Sequence, residues 1–294
     1  MEKINPKIKE KSKLSKEEWK EFTKTVWHIA NESDPLHPAV YPKEIPKRLI
    51  KLFTFWDEIV LDPFAGIGTT AHAALECGRQ AVCIDQNNKY FQEMKKRLKV
   101  VNGNRHLAKA IKGDSRSLEF IEDNSIGMVV TSPPYWDKAD YGRSKINIGK
   151  IRNYKEFLRQ IESVFIECHR VLKPGRKICL VTANVNQHTN HGLLAFPISK
   201  DFISILQGLG FVMINEVIWS KDKTGGKWGS YGEQRPIFGS YPYPPNFLFK
   251  NVHEYILIFA KPAPIPKKGP KVKNYEDLME FPELLHLDRL EKGD

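Results

Sequence analysis

The chain has 294 residues and only four cysteines, Cys77, Cys83, Cys168 and Cys179, none of them in a C-x-x-C pair. Each stands alone in an apolar or helical stretch, where a cysteine behaves as a small buried hydrophobe in a reducing compartment. A disulfide scaffold and a thiolate zinc site are therefore not expected, and no other metal is. Also missing is any apolar run near the roughly 18 residues that a membrane helix requires. Residues 1–24 are charged throughout, lack the apolar centre of a secretory signal, and mix acids with bases unlike a transit peptide. Internal repeats are absent too. These absences predict a cytoplasmic protein with no membrane partner.

What is present is a globular composition, 41% hydrophobic and 28% charged, long enough for one or two domains and a real core. Basic side chains outnumber acidic ones by 46 to 35, a formal charge of +11. The excess is not at the ends. Residues 1–34 hold 8 basic and 7 acidic side chains, 263–294 hold 6 and 7, and the segment between holds 32 and 21. Within it, Lys138 to Lys155 has six basic residues against the single acid Asp140. A positive excess confined to the body of the protein predicts a polyanionic partner, nucleic acid first among them.

The middle of the chain alternates strand and helix patterns. Strands are predicted over Glu58–Asp62, Gln80–Asp85, a run ending at Gly113-Asp114, Ile126–Thr131 and Lys177–Thr182. Helices are predicted over Thr69–Cys77, Asn88–Leu98, Tyr154–Leu172 and Phe202–Leu209, with another near Lys16–Thr25. Phe211–Trp219 and Val252–Ala260 read as two long strands with no helix between them. Alternation of this kind implies a parallel α/β sheet, and the last two strands imply an antiparallel hairpin. The loop Ser220–Asn251 is too long to be a plain connection and is expected to be functional or disordered. The organisation expected is a helical extension over 1–34, a catalytic domain over 35–262 and a tail over 263–294.

Two motifs carry chemistry. Leu61-Asp62-Pro63-Phe64-Ala65-Gly66-Ile67-Gly68-Thr69-Thr70 leaves a strand and enters a helix, and its glycines let backbone N–H groups approach a ligand. It lacks the third glycine of a dinucleotide fingerprint, and Asp62 and a proline precede its glycines. Asp85 ends the next strand 23 residues after Asp62, where a carboxylate accepts both hydroxyls of a ribose. Asp114 ends the third strand and is placed to meet an adenine edge. The second motif, Thr131-Ser132-Pro133-Pro134-Tyr135-Trp136, ends the fourth strand. Its two prolines fix φ and remove two donors. A rigid carbonyl and the Ser132 hydroxyl then accept from an amino group, and Tyr135 offers a face to a planar base.

Together these segments resemble the amino-methyltransferases, enzymes that use S-adenosyl-L-methionine to methylate exocyclic amines of bases. D-P-F-A-G-I-G-T-T looks like their cofactor motif, and T-S-P-P-Y-W like their catalytic motif in its N4-cytosine form. Val26-Trp-His-Ile29, His37-Pro-Ala-Val-Tyr-Pro42, Ile45–Ile50, Leu172–Gly175 and His253–Lys261 extend the likeness over about residues 25–262. The order of the motifs, cofactor before catalytic, departs from the commonest order in N4-cytosine enzymes. The resemblance implies a Rossmann-like class I methyltransferase fold, with a mostly parallel seven-stranded sheet and a C-terminal antiparallel hairpin. It implies cofactor contacts from His37, Asp62, Phe64, Gly66, Gly68, Thr69, Thr70, Asp85 and Asp114, and catalysis by Ser132, Pro133, Pro134 and Tyr135. Contacts to nucleic acid are expected from Trp136, Lys138, Arg143, Lys145, Lys150, Arg152, Tyr241 and Tyr243.

Ser132 in the first motif position favours cytosine N4 over adenine N6. No Pro-Cys pair is present, which speaks against methylation at carbon 5. Family precedent favours DNA. The small amount of chain left for a target-reading insertion keeps structured RNA, such as ribosomal RNA, as the alternative. A nucleic-acid-binding pseudoenzyme and a nicotinamide-dependent dehydrogenase are rival classes. The first would bind S-adenosyl-L-methionine without transfer, and the second would bind NAD instead. The sequence does not give the oligomeric state.

Overall fold

The structure is a computed structural model that describes residues 4–37, 39–102, 107–136, 144, 146–222, 243 and 251–263. The chain opens with helices α1 (Pro6–Lys11) and α2 (Lys16–Phe22), strand β1 (Val26–His28) and helix α3 (Glu44–Phe53). Next come β2 (Ile59–Asp62), α4 (Thr69–Glu76), β3 (Gln80–Asp85), α5 (Asn88–Asn102), β4 (Ala108–Lys112) and β5 (Ile126–Thr131). The second half holds α6 (Tyr154–Val171), β6 (Leu172–Thr182), β7 (Val185–Thr189), β8 (Gly192–Phe196), α7 (Ile198–Gly208), β9 (Val212–Ser220) and β10 (His253–Ala260).

Eight strands form one sheet in the order β1-β9-β10-β6-β5-β2-β3-β4. Strands β4, β3, β2, β5 and β6 are mutually parallel, while β10 runs antiparallel to both β6 and β9. The sheet thus has the expected parallel body and antiparallel hairpin, with one strand more than the seven expected. The addition is β1, which lies parallel to β9 with Trp27 opposite Trp219. Three residues are too few for a period to show in the sequence.

Alternate strand residues feed two apolar layers. On one face Val60, Cys83, Met128, Val130, Cys179 and Ile256 pack with Ile45, Leu49, Ala71, Ala74 and Met94 of α3, α4 and α5. On the other, Leu61, Val129, Ile178, Leu180 and Leu257 pack with Phe157, Ile161, Phe165, Phe202 and Leu206 of α6 and α7. All six residues of β5 are buried, as expected of a strand covered on both sides by helices. Full burial of each large apolar side chain contributes about 1.5–3 kcal/mol. The four cysteines are buried in these layers with free thiols.

Two other regions differ from the sequence reading. Helix α6 ends at Val171 and β6 begins at once at Leu172, ahead of Lys173-Pro174-Gly175. Pairing shifts from Ile126 opposite Leu172 to Met128 opposite Lys177, so the Pro-Gly segment is a bulge in the strand. Gly175 sits there at φ 80° and donates to the Lys261 carbonyl at 2.8 Å. The second is the separate β7–β8 hairpin, turned through Asn190-His191, with Val185 paired to Phe196 and Thr189 to Gly192.

Candidate active site

Strands β3 and β4 extend the sheet to one side of β2, and β5 and β6 to the other. The strand order therefore reverses between β2 and β5, and crevices in open α/β sheets form at the carboxyl ends of such strands. A cleft of about 490 Å³ opens there, lined by the residues that follow β2, β3, β4, β5 and β9 and by the start of β10. This volume lies within the usual range of a small-molecule site.

Beyond β2 the chain turns through Pro63–Gly68 into α4. Gly66 and Gly68 have φ of 53° and 93°, the left-handed region that glycine enters without a steric cost. A Cβ on Gly66 would lie 2.8 Å from His37 Nε2, so the loop and His37 are packed as closely as a glycine allows. The Gly66 N–H donates to Asp85 Oδ2 at 2.9 Å, and the Asn87 N–H to Asp85 Oδ1 at 2.7 Å. Burial pushes the Asp85 pKa up to about 7, opposed by those two N–H groups and assisted by the charge of Asp62.

His37 Nδ1 accepts the Ala39 N–H at 3.2 Å, and its ring tilts against Tyr90 with centroids 4.5 Å apart. Burial pushes its pKa down to about 4, with Asp34 opposing and Arg97 adding. The imidazole is therefore neutral near pH 7. Asp114 lines the same cleft, with its carboxylate gripped by Arg116 Nε at 2.9 and 3.1 Å. Burial acts to raise its pKa, but the Arg116 hydrogen bonds outweigh it and hold the group below its ordinary value.

The cleft thus brings together His37, Phe64, Gly66, Thr69, Asp85, Asp114, Ser132, Pro134 and Tyr135. Sequence reasoning puts Asp62, Gly68, Thr70 and Pro133 there too, but none of them lines it. Asp62 is 1% exposed and accepts from the Thr131 hydroxyl at 2.6 Å, the Phe64 N–H at 3.0 Å and the Thr70 hydroxyl, which also meets Tyr41. It joins the ends of β2 and β5 to the start of α4 beneath the cleft. Gly68 precedes α4, and a Cβ there would lie 2.9 Å from the Met94 side chain.

Trp136 calls for a correction. Expected as a base-contacting aromatic, it is 8% exposed, donates its Nε1–H to the Ile151 carbonyl at 2.8 Å and packs against Tyr154 and Phe196. A ring held in the core from both sides offers no face to a base. Lys150 and Arg152 are exposed, beside the cleft-lining stretch Ile146–Gly149. Tyr243 is 75% exposed. Lys138, Arg143, Lys145 and Tyr241 lie outside the described residues.

Lys221 and Glu254 were not foreseen. Tyr135 Oη donates to Glu254 Oε2 at 2.7 Å and lies 3.2 Å from Ser132 Oγ, while Lys221 Nζ pairs with Glu254 Oε1. The β9–β10 register sets Glu254 opposite Trp219. Because β10 is antiparallel, its first residues fall on the same edge as the ends of the parallel strands. A carboxylate at the head of the apolar run His253–Ala260 was the available signal. Among the described residues no cluster of three or more His, Cys, Asp or Glu is placed to hold a metal. No described helix is long and apolar enough to cross a membrane.

Comparison with known proteins extends these observations. A profile of the N6/N4 methyltransferase family, described as DNA methylase, matches residues 1–96 and 126–283. The type II methyltransferase M.MjaI of Methanocaldococcus jannaschii is 28% identical over 179 residues, 53% of this chain and 56% of that protein. M.BglII of Bacillus subtilis is 28% identical over 185 residues, 58% of this chain and 42% of the relative. The chain therefore spans about half the length of the curated relatives it matches. A proposed DNA modification methylase from Thermus thermophilus, solved with S-adenosyl-L-methionine, is 29% identical over 56% of this chain and 62% of its own, with a TM-score of 0.39. The family profile covers both sides of the cleft and most of the sheet, and by that match the chain belongs to the N6/N4 DNA methylases, whose cofactor is S-adenosyl-L-methionine.

Proposed function

We propose that this chain transfers a methyl group from S-adenosyl-L-methionine to the exocyclic N4 amine of cytosine in DNA. The observation that carries the reading is the Ser-Pro-Pro-Tyr segment at the end of β5, which faces the Asp85 side of one cleft across the sheet's reversal point.

The residues of the cleft fit the cofactor. Gly66 leaves room that a Cβ would close against His37. The Asp85 carboxylate, oriented by two backbone donors, keeps lone pairs for the ribose hydroxyls. Neutral His37 puts no positive charge beside a sulfonium, and Phe64 and Tyr90 supply apolar surface. When bound, the cofactor supplies an electrophilic methyl on sulfur.

The chain's own part is to position the amine. A cytosine amino nitrogen shares its lone pair with the ring and is a weak nucleophile. Ser132 Oγ, which lines the cleft, accepts an N–H of the amine, which favours a pyramidal nitrogen aimed at the methyl. Tyr135 lies beside a base taken out of its stack. Exposed Lys150 and Arg152 meet the phosphates at the rim.

Labelled cofactor offered with duplex DNA, total RNA and ribosomal subunits tests the reading through mass spectrometry of the digested nucleosides. N4-methyldeoxycytidine is expected. N6-methyldeoxyadenosine would overturn the base assignment, a methylated ribonucleoside the choice of DNA, and binding without transfer the catalytic role.

Asp85 gives cofactor binding a pH dependence. Only the carboxylate form offers its full set of acceptors to the ribose, and its pKa in the free cleft is about 7. Affinity for S-adenosylhomocysteine should therefore rise with pH toward a plateau above 7, by up to about tenfold per pH unit below it. Asp85→Asn should bind more weakly, with a flatter profile. Titration calorimetry across this range checks the point, and equal slopes in the two proteins would remove Asp85 as the titrating group.

A further inference from the structure

We infer that the Glu254 carboxylate sets the direction of hydrogen bonding through Tyr135 to Ser132, so that the cleft accepts an exocyclic amine and rejects a carbonyl oxygen at the same ring position. The inference rests on the methyl-transfer reading and assigns to that site a positioning residue and a specificity rule.

An ionised carboxylate is an acceptor only, and a phenol or an alcohol has one hydrogen to give. Tyr135 Oη donates its hydrogen to Glu254 Oε2 at 2.7 Å. Within the 3.2 Å contact between Tyr135 Oη and Ser132 Oγ, the hydrogen must then come from Ser132. With its hydrogen committed, Ser132 Oγ turns a lone pair toward the cleft it lines. A lone pair there accepts an N–H from cytosine N4 or adenine N6. The O4 of thymine or uracil would bring a second acceptor against it, and a polar group left unpaired in a desolvated site is costly.

The anchor of the chain is well held. The Glu254 and Lys221 side chains are 12% and 15% exposed, and Lys221 Nζ sits 4.4 Å above the Trp219 ring. Trp219 is fixed in turn by its Nε1–H to the Ile29 carbonyl at 2.8 Å. The ammonium keeps Glu254 oriented by one oxygen while the other receives Tyr135.

The same polarity gives the reaction its proton route. As the amine lone pair forms the N–C bond, the S–C pair returns to sulfur and the positive charge passes to nitrogen. That nitrogen gives a proton to Ser132 Oγ, Ser132 gives its own to Tyr135 Oη, and Tyr135 gives its own to Glu254. Glu254 ends as a neutral acid that releases the proton to solvent. The N-methylated amine, the sulfide and one proton account for every atom.

The test uses the full chain with Glu254→Gln, Tyr135→Phe and the double variant. Glutamine presents an N–H₂ that can donate to Tyr135 and reverse the chain, and Tyr135→Phe breaks it while keeping the ring. Each single variant should lower the single-turnover rate by about tenfold or more with cofactor affinity kept within about threefold, which also reports folding. The double variant should be no slower than the slower single, because both break one chain. Duplexes carrying cytosine or uracil at the position that the wild type methylates supply a readout that a merely structural role would not move. Glu254→Gln should lose the wild-type preference for cytosine in binding. Wild-type rate and preference in Glu254→Gln, or losses that multiply in the double variant, would overturn the inference alone. Absence of transfer by the wild type to any nucleic acid would overturn the function and this inference with it.

Discussion

Ser132→Ala is expected to slow methyl transfer by about a hundredfold while the cofactor dissociation constant stays within about threefold of wild type. The size follows from what the hydroxyl does. In the proposed reaction it is the side-chain acceptor of the Ser-Pro-Pro-Tyr segment, and its bond to the amine N–H would strengthen as the nitrogen pyramidalises and gains positive charge. An interaction that grows along the reaction coordinate appears in the rate rather than in binding. In the proposed reaction the cofactor falls to other residues of the cleft, Asp85, Gly66 and those around His37. Alanine should not disturb the fold, because Ser132 Oγ contacts Tyr135 at 3.2 Å while the strand ahead of it is anchored by Thr131 on Asp62. Single-turnover rates and equilibrium binding of the cofactor separate the two effects. Equal losses in both would sink the role given to Ser132 and make it part of the cofactor pocket.

The parallel body of the fold was legible for a physical reason. Strands buried on both faces must be continuous apolar runs, and Ile59–Asp62, Gln80–Asp85 and Ile126–Thr131 are such runs ending in polar residues at the sheet's edge. Those ends are where the chain turns toward the cleft, so Asp85, Asp114 and Ser132 could be read together. What escaped is whatever depends on distant pairing. Glu254 reaches Tyr135 across 119 residues and Lys221 across 33, and no local pattern records either contact. The Trp136 error has one source with the missed hairpin. Phe196, at the end of β8, closes over Trp136 with centroids 4.6 Å apart, so a reading without β8 leaves that ring looking free to meet a base. Helix α3 has no clear helical signal in the sequence, since Pro46 interrupts its pattern. Pro46 stands in the first turn, where no intrahelical donor is needed.

Asp62→Ala is expected to destabilise the protein by about 3–5 kcal/mol, whereas Asp62→Asn should fold with near wild-type stability at neutral pH. Alanine strands the Thr131 hydroxyl and the Phe64 N–H and leaves the Thr70 hydroxyl only its bond to Tyr41, at a site that water does not reach. Asparagine keeps one oxygen for Thr131 and Phe64 and turns an N–H₂ toward Thr70, whose hydroxyl can then donate to Tyr41. The pH dependence separates the two variants further. Burial pushes the Asp62 pKa up to about 6, against the hydrogen bonds from Thr131, Thr70 and Phe64 that favour the charged form. A carboxyl with a raised folded-state pKa binds its proton more tightly in the native state. The stability it contributes is full below the ordinary carboxylate range and is lost as pH rises through about 6. Chemical denaturation from about pH 4 to pH 8 should therefore show Asp62→Asn gaining on the wild type up to about pH 7 and holding a constant difference above it. Asp85, raised to about 7, bends stability in the same direction but is present in both proteins. It cancels in the difference except for one coupling. The Asp62 charge is among the causes that raise Asp85, so Asp62→Asn should also move the cofactor-binding midpoint to lower pH. A difference curve without slope would show that the Asp62 carboxyl binds its proton no more tightly in the folded than in the unfolded chain, and an unmoved midpoint would show that its charge does not reach Asp85.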